Sequence, residues 1–420
     1  MHDVMMPVVK RRGGGRRIAT RRSGLPLVLQ TWTMPTPLKD SFGPDVPARL
    51  AEAVAAVHPG FTVREFLDDA LDGYDGLELT PRARQIARAL RVHLPADYDQ
   101  AIDVLLASLG PPLEGSEPSG MAAFFYAPHV FFVAEFGLDA WETSMRAQYE
   151  LTKRFTAEYS IRPFLDREPE RTLARLREWT RDPSADVRRL VSEGTRPRLP
   201  WAPRLRRFQL DPSPVLDLLE LLKDDPSLYV RRSVANNLND IGKDHPDLLV
   251  TTCRRWMEDA NEERRWMVRH ALRSAVKRGD RAALGVLGFG PADAAEVHQV
   301  SIEPSRPHIG ATVRISATVS NAGTRHAVFN IDLRIQFVKA SGGTSPKVFK
   351  GREVELAAGE RTTVSKVISL RQHTTRVHHP GRHLVELIVN GASHPAGTFV
   401  ITDMPRTFRA EAVDHTVELA

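Results

Sequence analysis

One twelve-residue segment of this chain recurs, in altered form, 43 residues further along. The first copy, DPSADVRRLVSE, begins at Asp182, and the second, DPSLYVRRSVAN, begins at Asp225. A third, weaker copy begins near Asn261, where Val268-Arg269 matches the Val-Arg pair of the second copy. Repeats of about 40–47 residues that consist of helix pairs are typical of HEAT and armadillo arrays, which stack into a curved solenoid with a concave binding face. The repeat therefore predicts an α-solenoid.

Helical periodicity covers the chain from Val46 to about Gly288. The predicted helices are 46–57, 62–71, 80–94, 97–109, 121–136, 139–159, 168–180, 185–193, 228–241, 246–258, 262–277 and 281–287. Thr80 and Pro81 have the residue types of an N-cap and a first helical position, and the Pro- and Gly-rich segment 110–120 is a predicted loop.

The composition changes after Gly290 to short runs rich in β-branched residues, separated by Pro, Gly and Asn. These predicted strands are 300–302, 312–319, 329–337, 347–354, 362–370, 383–389 and 398–401. About seven strands in about 110 residues favour an immunoglobulin-like β-sandwich. The predicted fold class is thus an α-solenoid followed by a β-sandwich, with domains at 35–290 and 295–404, a disordered basic extension at 1–34 and a tail at 405–420.

The formal net charge of +6 originates at the amino end. Residues 1–36 contain seven basic residues and one acid, which leaves 51 of the 58 basic and 51 of the 52 acidic residues for the remainder. The high isoelectric point therefore does not by itself indicate nucleic-acid binding, which must depend on local clusters of charge. The extension has no apolar core typical of a secretory signal, and Met34 is a candidate translation start.

Such a local cluster lies in the segment 186–207, where arginines outnumber acids and Trp201 lies between prolines. Its arginines are Arg188, Arg189, Arg196, Arg198, Arg204, Arg206 and Arg207. Arginine forks bind phosphates, and a Trp on a stiff loop can stack on a sugar or a base. The alternative is a solvated helix face with a Trp that covers the core.

The repeated helices also place acids beside arginines. Arg189 and Glu193 are four residues apart and share a helix face, and Arg232, Asn236 and Asp240 form the equivalent stripe in the next repeat. If both helices line the concave surface, Glu193 and Asp240 converge on one ligand. The alternative is that these are ordinary i,i+4 pairs worth a few tenths of a kcal/mol.

Other features of the sequence are weaker indications of a functional site. Glu158 falls near the end of the predicted helix 139–159, and the pattern alone does not single it out. The cluster His373, His378, His379 and His383 fits an exposed loop better than a metal site, because no carboxylate or Cys supports it. The single Cys253 excludes an internal disulfide and suits a reducing compartment. No stretch resembles a membrane span, and no nucleotide-binding or hydrolase motif is present, so we expect no metal and no cofactor.

Four segments resemble bacterial AlkC-type DNA alkylation repair proteins, which are HEAT-like-repeat alkylpurine DNA glycosylases. They are VSEGTRPRLPW (191–201), DPSPVL (211–216), DDPSLYVRRSVANNLNDIGKDHP (224–246) and RHALR (269–273). The resemblance extends from about Pro35 to Gly290, and the sandwich that follows is similar to the immunoglobulin-like domain of AlkC-type members.

The resemblance implies a monofunctional glycosylase that excises cationic alkylated bases, chiefly 3-methyladenine and 3-methylcytosine, from double-stranded DNA. It assigns the active-site acids to Glu193, Asp240 and Glu158. Trp201 would pack on the deoxyribose of the lesion, and Arg189 would contact the DNA backbone. We expect Arg188, Arg196, Arg198 and Arg232 to add DNA contacts. The resemblance further implies a monomeric bacterial cytoplasmic protein that associates with the nucleoid through DNA, with no deep aromatic cage for the base.

Two other functions remain open at this stage. A non-catalytic HEAT scaffold would bind a protein, since fold does not fix function. A DNA-structure binder would keep the arginine surface but have no base-release activity. The combination of three acids with Trp201 favours the glycosylase, because neither alternative requires all four residues.

Overall fold

The computed structural model describes residues 38–112, 122–372 and 377–403. The predicted extension (1–34), most of the 110–120 loop, His373 and the tail (405–420) lie outside these ranges.

Fifteen α-helices fall within the described ranges, in chain order α1 (Asp45–Val57), α2 (Val63–Leu71), α3 (Leu79–His93), α4 (Tyr98–Ala107), α5 (Ala127–Phe136), α6 (Trp141–Thr152), α7 (Ile161–Arg167), α8 (Pro169–Trp179), α9 (Ala185–Gly194), α10 (Arg206–Leu210), α11 (Ser213–Leu222), α12 (Leu228–Ile241), α13 (Pro246–Met257), α14 (Glu262–Arg278) and α15 (Arg281–Val286).

The three copies of the repeat form the inner layer of the solenoid. Helices α9, α12 and α14 pack side by side in that order, and α8, α11 and α13 lie behind them. One continuous apolar core, from Phe42 to Ala283, joins all the repeats. The predicted solenoid is therefore confirmed, and its inner helices are those that carry the repeated sequence.

The DPS turn has the same conformation in both strong copies. The side-chain oxygen Oδ1 of Asp182 accepts a hydrogen bond from the backbone N–H of Ser184 at 2.8 Å, and Asp225 does the same for Ser227 at 2.8 Å. Neither serine side chain caps the helix it precedes. The Asp of each motif, rather than its Ser, therefore organises the helix start.

The first arginine of each Val-Arg-Arg triplet folds back onto its own turn. Arg188 Nη1 donates to the carbonyl oxygens of Asp182 at 2.8 Å and Pro183 at 3.0 Å, and Arg231 Nη1 donates to that of Asp225 at 2.6 Å. Arg188 also reaches the next repeat, where Nε and Nη2 donate to the carboxylate of Asp225 at 2.6 and 3.0 Å. These contacts make the first arginine structural and leave the second to face the concave side.

We expect Arg188→Ala to lower the free energy of unfolding by about 3–5 kcal/mol, because the substitution leaves the buried carboxylate of Asp225 without its cationic partner. The Asp225 side chain is only 3% exposed and that of Arg188 is 13% exposed. Denaturant unfolding measures the effect. Arg265→Ala is the matched control, since Arg265 is exposed on α14 and its loss should cost about 0.5 kcal/mol or less. Equal losses in the two variants would refute the structural role of Arg188.

Several helix boundaries differ from the sequence pattern. The predicted helix 139–159 ends at Thr152, and the short helices α7, α10 and α11 were missed. Phe155 turns inward instead of continuing the helix, and its ring packs on that of Phe124 with centroids 5.1 Å apart. Thr80 and Pro81 lie inside the first turn of α3, whose N-cap is Glu78. Packing and local geometry here override the residue preferences of the sequence.

The second domain contains seven strands, β1 (Ala295–Glu303), β2 (Thr312–Asn321), β3 (Ala327–Val338), β4 (Thr344–Leu356), β5 (Arg361–Ser369), β6 (Gly381–Val389) and β7 (Ala392–Ile401). They form two antiparallel sheets, in the orders β1-β2-β5 and β4-β3-β6-β7. A separate apolar core that includes Phe329 and Phe399 fills the space between the sheets. All seven predicted strands and the sandwich architecture are confirmed.

The two domains meet at a pair of close glycines. Gly279, at the end of α14, has a φ of +79°, and Gly391, between β6 and β7, has a φ of +83°. A Cβ atom on Gly279 would lie 2.6 Å from the Cα atom of Gly391, so a side chain at this position would force the backbones apart. Asn390 Nδ2 donates to the carbonyl of Gly290 at 2.7 Å, and an Arg269–Glu353 ion pair of 2.8 Å joins α14 to β4.

The histidine cluster does not form the predicted exposed loop. His378 and His383 are buried, and both rings pack on Phe337, with centroids 5.1 and 5.4 Å away. Burial lowers the pKa of His383, which stacks on Phe399. Among the residues that the structure describes, no group of three or more His, Cys, Asp or Glu could hold a metal ion, and no helix is long and apolar enough to span a bilayer.

Candidate active site

A cavity of about 410 Å³ lies on the inner side of the solenoid, between α3, α5, α9 and α12. Its lining combines six aromatic rings with two acids and two arginines: Phe124, Phe131, Phe155, Tyr159, Trp201, Tyr229, Glu158, Glu193, Arg189 and Arg196. The sequence pattern did not indicate these six rings. The rings come from five separate segments, so only the packed fold brings them together.

Glu158 enters the cavity from the turn between α6 and α7. Its Oε2 atom accepts a hydrogen bond from Thr156 Oγ1 at 2.9 Å and forms an ion pair with Arg189 Nη1 at 2.9 Å. Because α6 ends six residues earlier than this position, Glu158 projects from a turn rather than from a helix face. That geometry explains why helical periodicity did not select it.

Glu193 lies in the last turn of α9 and is almost fully buried. Oε1 accepts from Arg196 Nη1 at 2.6 Å, and Oε2 accepts from the hydroxyl of Ser233 on α12 at 2.6 Å. Burial raises the pKa of this carboxyl, but the nearby Arg189 and Arg196 outweigh it and bring the pKa below its usual value. Glu193 is therefore an anion at neutral pH.

Arg189 lies between the two acids that line the cavity. It is 2.9 Å from Glu158 and 3.7 Å from Glu193, and its guanidinium carbon lies 4.9 Å from the centre of the Tyr229 ring. Burial lowers the pKa of Arg189, but the two carboxylates more than compensate and raise it above its usual range. Arg189 therefore remains a cation inside the cavity wall.

Asp240 lies behind this wall rather than on it. Oδ2 accepts a hydrogen bond from Arg196 Nε at 2.8 Å and forms an ion pair with Nη2 at 2.7 Å, and Oδ1 accepts from Lys243 at 2.7 Å. Its side chain is 2% exposed. The predicted convergence of Glu193 and Asp240 is thus present, but Arg196 lies between the two acids.

Trp201 projects at the mouth of the cavity. Its side chain is 74% exposed, and its φ of +64° is rare for a residue other than glycine. Of the two interpretations of this Trp, the one in which it covers the core is wrong. The loop presents a large aromatic surface to solvent beside the acids.

The arginines with predicted DNA contacts occupy different environments. Arg188 and Arg198 are bound to Asp225 and Asp244, and Arg196 is buried between two acids. Arg232 is exposed on α12, and its charge contributes, after burial and Arg273, to the lowered pKa of His270 on α14. Their contacts with DNA stay predictions, and exposure favours Arg232.

Three residues of the site were missed from the sequence. Thr156 orients Glu158, Ser233 orients Glu193, and Tyr229 lies under Arg189. Tyr229 and Ser233 precede Asp240 on α12 at helical spacing, so the stripe through Asp240 could have identified them. The position of Thr156 in a turn has no comparable signal.

Comparison with known proteins agrees with this architecture. Residues 296–403 match the family described as "Uncharacterised protein YhaZ, C-terminal Ig-like domain". The chain is 35% identical over 355 residues to the protein YhaZ of Bacillus subtilis, which covers 84% of this chain and 96% of YhaZ. It also resembles the structure of Pseudomonas fluorescens alkylpurine DNA glycosylase AlkC bound to DNA that contains an abasic site analogue.

The similarity to AlkC has a TM-score of 0.78 at 35% sequence identity and covers 87% of this chain and 99% of the AlkC chain. Both relatives therefore match across the solenoid and the sandwich together, rather than across one domain. The chain belongs to the family that contains YhaZ and the AlkC-type DNA alkylation repair proteins.

Proposed function

We propose that this protein is a DNA glycosylase of alkylation repair, which hydrolyses the N-glycosidic bond of alkylated bases in double-stranded DNA. The observation that carries the proposal is the cavity where Glu158, Glu193, Arg189 and Trp201 meet. A protein-binding scaffold needs no buried carboxylates beside an exposed Trp. The relationship to AlkC, whose structure is bound to DNA containing an abasic site analogue, supports the same reaction class.

The chemistry follows from the charges of the substrate. A base alkylated to a cation leaves as a neutral molecule, so the reaction requires little general acid. Positive charge instead develops on the deoxyribose, and fixed carboxylates stabilise it. Glu193, which is anionic at neutral pH, and Glu158 supply this negative charge, and one of them orients the attacking water. We assign cationic bases such as 3-methyladenine and 3-methylcytosine as substrates on this ground.

Trp201 supplies an apolar surface at the same opening. An exposed indole ring can pack against the deoxyribose of the lesion while the acids approach the anomeric carbon. We propose that Arg189, a cation at the cavity wall, contacts the adjacent phosphate. One chain provides all of these groups, so we propose that the protein acts as a monomer.

The groove between α14 and the sandwich offers a path for the duplex. Basic residues line both of its walls: Arg273, Lys277 and Arg278 from α14, and Lys339, Lys347 and Lys350 from the sandwich. Among the acids that line this groove, Glu353 is paired with Arg269, and Asp332 is bound to the backbone N–H of Gly351. The excess of positive charge fits the phosphates of DNA that leaves the active site.

The function is tested by release of methylated bases from alkylated duplex DNA, resolved by chromatography. Release of 3-methyladenine or 3-methylcytosine is the expected result. Binding of the same DNA without release of any base would instead identify a DNA-structure binder.

Loss of two lysines in this groove should weaken binding of duplex DNA by about the same factor for every base sequence. We expect Lys347→Gln/Lys350→Gln to lower affinity for duplex DNA and to reduce the slope of log K against log[salt] by about one to two, since each phosphate contact contributes about 0.9 to that slope. Fluorescence anisotropy between low and moderate salt measures both quantities.

The matched control is Arg314→Gln/Arg361→Gln, which removes the same charge from exposed positions on the opposite sheet. A control variant that loses as much affinity as the groove variant would show that total charge, and not the groove, determines binding.

A further inference from the structure

Arg196 is the charged group that connects the two repeats inside the site. It follows α9 by two residues, and its side chain is 10% exposed. Nη1 donates to Glu193 at 2.6 Å and Nε donates to Asp240 at 2.8 Å, while Nη2 forms an ion pair with Asp240 at 2.7 Å. Burial lowers the pKa of Arg196, but the two carboxylates raise it overall, so the guanidinium stays charged.

The charges around Arg196 alternate along a single row. In spatial order they are Glu158, Arg189, Glu193, Arg196, Asp240 and Lys243, with contacts of 2.9, 3.7, 2.6, 2.7 and 2.7 Å between neighbours. Three acids and three cations balance one another. Without Arg196, the carboxylates of Glu193 and Asp240 would face each other across a dry gap, and each would make ionisation of the other less favourable.

We propose that Arg196 is a positioning residue, which fixes Glu193 and Asp240 relative to each other and to the deoxyribose without touching the DNA itself. This inference deepens the proposed glycosylase function and rests on it. Asp240, which does not line the cavity, then acts on the reaction through Arg196 rather than by direct contact. The role replaces the phosphate contact that the arginine-rich sequence predicts for residue 196.

The geometry opposes a direct phosphate contact. The fork of Arg196 already points its Nε, Nη1 and Nη2 atoms at carboxylates. A phosphate could bind only if the guanidinium left two buried anions, and leaving buried anions unpaired is strongly unfavourable. Arginine suits this position because a planar fork can bind two acids at once, which an ammonium point charge cannot do with the same geometry.

The test compares Arg196→Gln and Arg196→Lys with wild type in single-turnover base release from pH 9 down to about pH 3, so that the acid limb of the wild-type profile falls within the range. The charged and titratable groups that face Glu193 from the surrounding elements are Arg189 of α9, Glu158 of the α6–α7 turn, Arg196 itself, and Tyr229 and Asp240 of α12. Since Arg196 contributes to the lowered pKa of Glu193, its neutral replacement should raise that pKa. The acid limb of the rate profile should therefore move up by at least about one pH unit in Arg196→Gln.

Arg196→Lys should keep the acid limb within about half a unit of wild type, because the charge remains. Its plateau rate should nevertheless fall at least about tenfold, since the lysine cannot hold both acids. Affinity for an abasic duplex should stay within about twofold of wild type in both variants. If Arg196→Gln fails to fold, the rate and affinity of Arg196→Lys alone test the positioning role of Arg196.

Two results would overturn the proposal. Full wild-type activity in Arg196→Lys would show that the fork geometry is unimportant. A tenfold loss of affinity with a smaller salt slope and an unchanged pH profile would identify a phosphate contact. Asp244→Asn, which removes the neighbouring contact with Arg198, is the control for general damage to this loop. Absence of base release by wild type at every pH would instead refute the glycosylase function.

Discussion

Glu193→Gln is expected to lower the single-turnover rate of base release by about 100- to 1,000-fold, the usual effect of removing one electrostatic group from a transition state. Affinity for a duplex with an abasic site should change little. The substitution removes the negative charge but keeps the shape of the side chain. The developing positive charge on the deoxyribose then loses its nearest fixed anion, whereas the DNA contacts remain.

The fold should tolerate this change because no cation is left alone. Arg196 keeps its hydrogen bond and its ion pair with Asp240, and Arg189 keeps its ion pair with Glu158 at 2.9 Å. The amide of the new Gln can still accept from Arg196 and exchange a hydrogen bond with Ser233. A loss of activity in a protein with an unchanged melting profile would therefore report on chemistry rather than on folding.

Asp244→Asn is the matched control for this variant. Asp244 pairs with Arg198 on the same side of the solenoid, but it lies outside the cavity lining. Its neutral replacement should leave base release within about twofold of wild type. If Asp244→Asn and Glu193→Gln were equally impaired, general weakening of the arginine network would explain both results, and the assigned role of Glu193 would be withdrawn.

The pKa of Glu193 also fixes the expected pH dependence. A carboxyl whose folded-state pKa lies below its unfolded value adds stability above the unfolded pKa and loses it only as pH falls through the folded pKa. Wild-type activity should accordingly show no acid limb from Glu193 between pH 8 and 6. A limb in that range that persists in Glu193→Gln would belong to another group.

The sequence predicted the fold and most of the site because both depend on the repeat. The 43-residue offset placed α9 and α12 on one surface, and helical spacing brought Glu193 and Asp240 to it. Alternation of apolar residues was sufficient to predict every strand of the sandwich. These features are local or periodic, so a single sequence contains them.

The remaining features depend on contacts between distant segments. Glu158 was assigned by resemblance, and its position in a turn results from the inward packing of Phe155. The sequence also does not distinguish structural arginines from exposed ones. Arg188 and Arg189 are adjacent arginines. The side chain of Arg188 is bound to the DPS turn and to Asp225, whereas that of Arg189 lines the cavity. Only the three-dimensional position of each carboxylate separates their roles.

Trp201→Gly should lower the activity of the protein without lowering its stability. We expect base release to fall about 10- to 100-fold, because the deoxyribose loses an aromatic contact worth about 1–3 kcal/mol. The free energy of unfolding should instead stay constant or rise by up to about 1 kcal/mol. A non-glycine residue with left-handed backbone costs about 1–2 kcal/mol, which glycine relieves, and the added chain entropy of glycine offsets part of that gain. Little packing is lost, since the indole is 74% exposed.

Trp266→Gly provides the comparison for the stability measurement. Trp266 is also partly exposed, at 38%, but it lies within α14, where glycine is unfavourable by about 1 kcal/mol. Denaturant unfolding should therefore show a loss for Trp266→Gly and none for Trp201→Gly. Equal losses would mean that the loop conformation at residue 201 is not strained, and unchanged base release would remove Trp201 from the site.

Trp201→Gly is expected to lower base release but not stability, and this difference indicates why a Trp occupies a position with strained backbone. Backbone strain of this kind persists where the surrounding structure imposes it, and Pro200 and Pro203 restrict the loop on either side of Trp201. The fold gains nothing from a large exposed ring with a φ of +64°. A ligand that packs on the ring is stabilised, because the strained loop already holds the backbone of Trp201 beside the cavity that Glu158 and Glu193 line. The strained loop is thus best explained as preorganisation for the sugar of the damaged nucleotide.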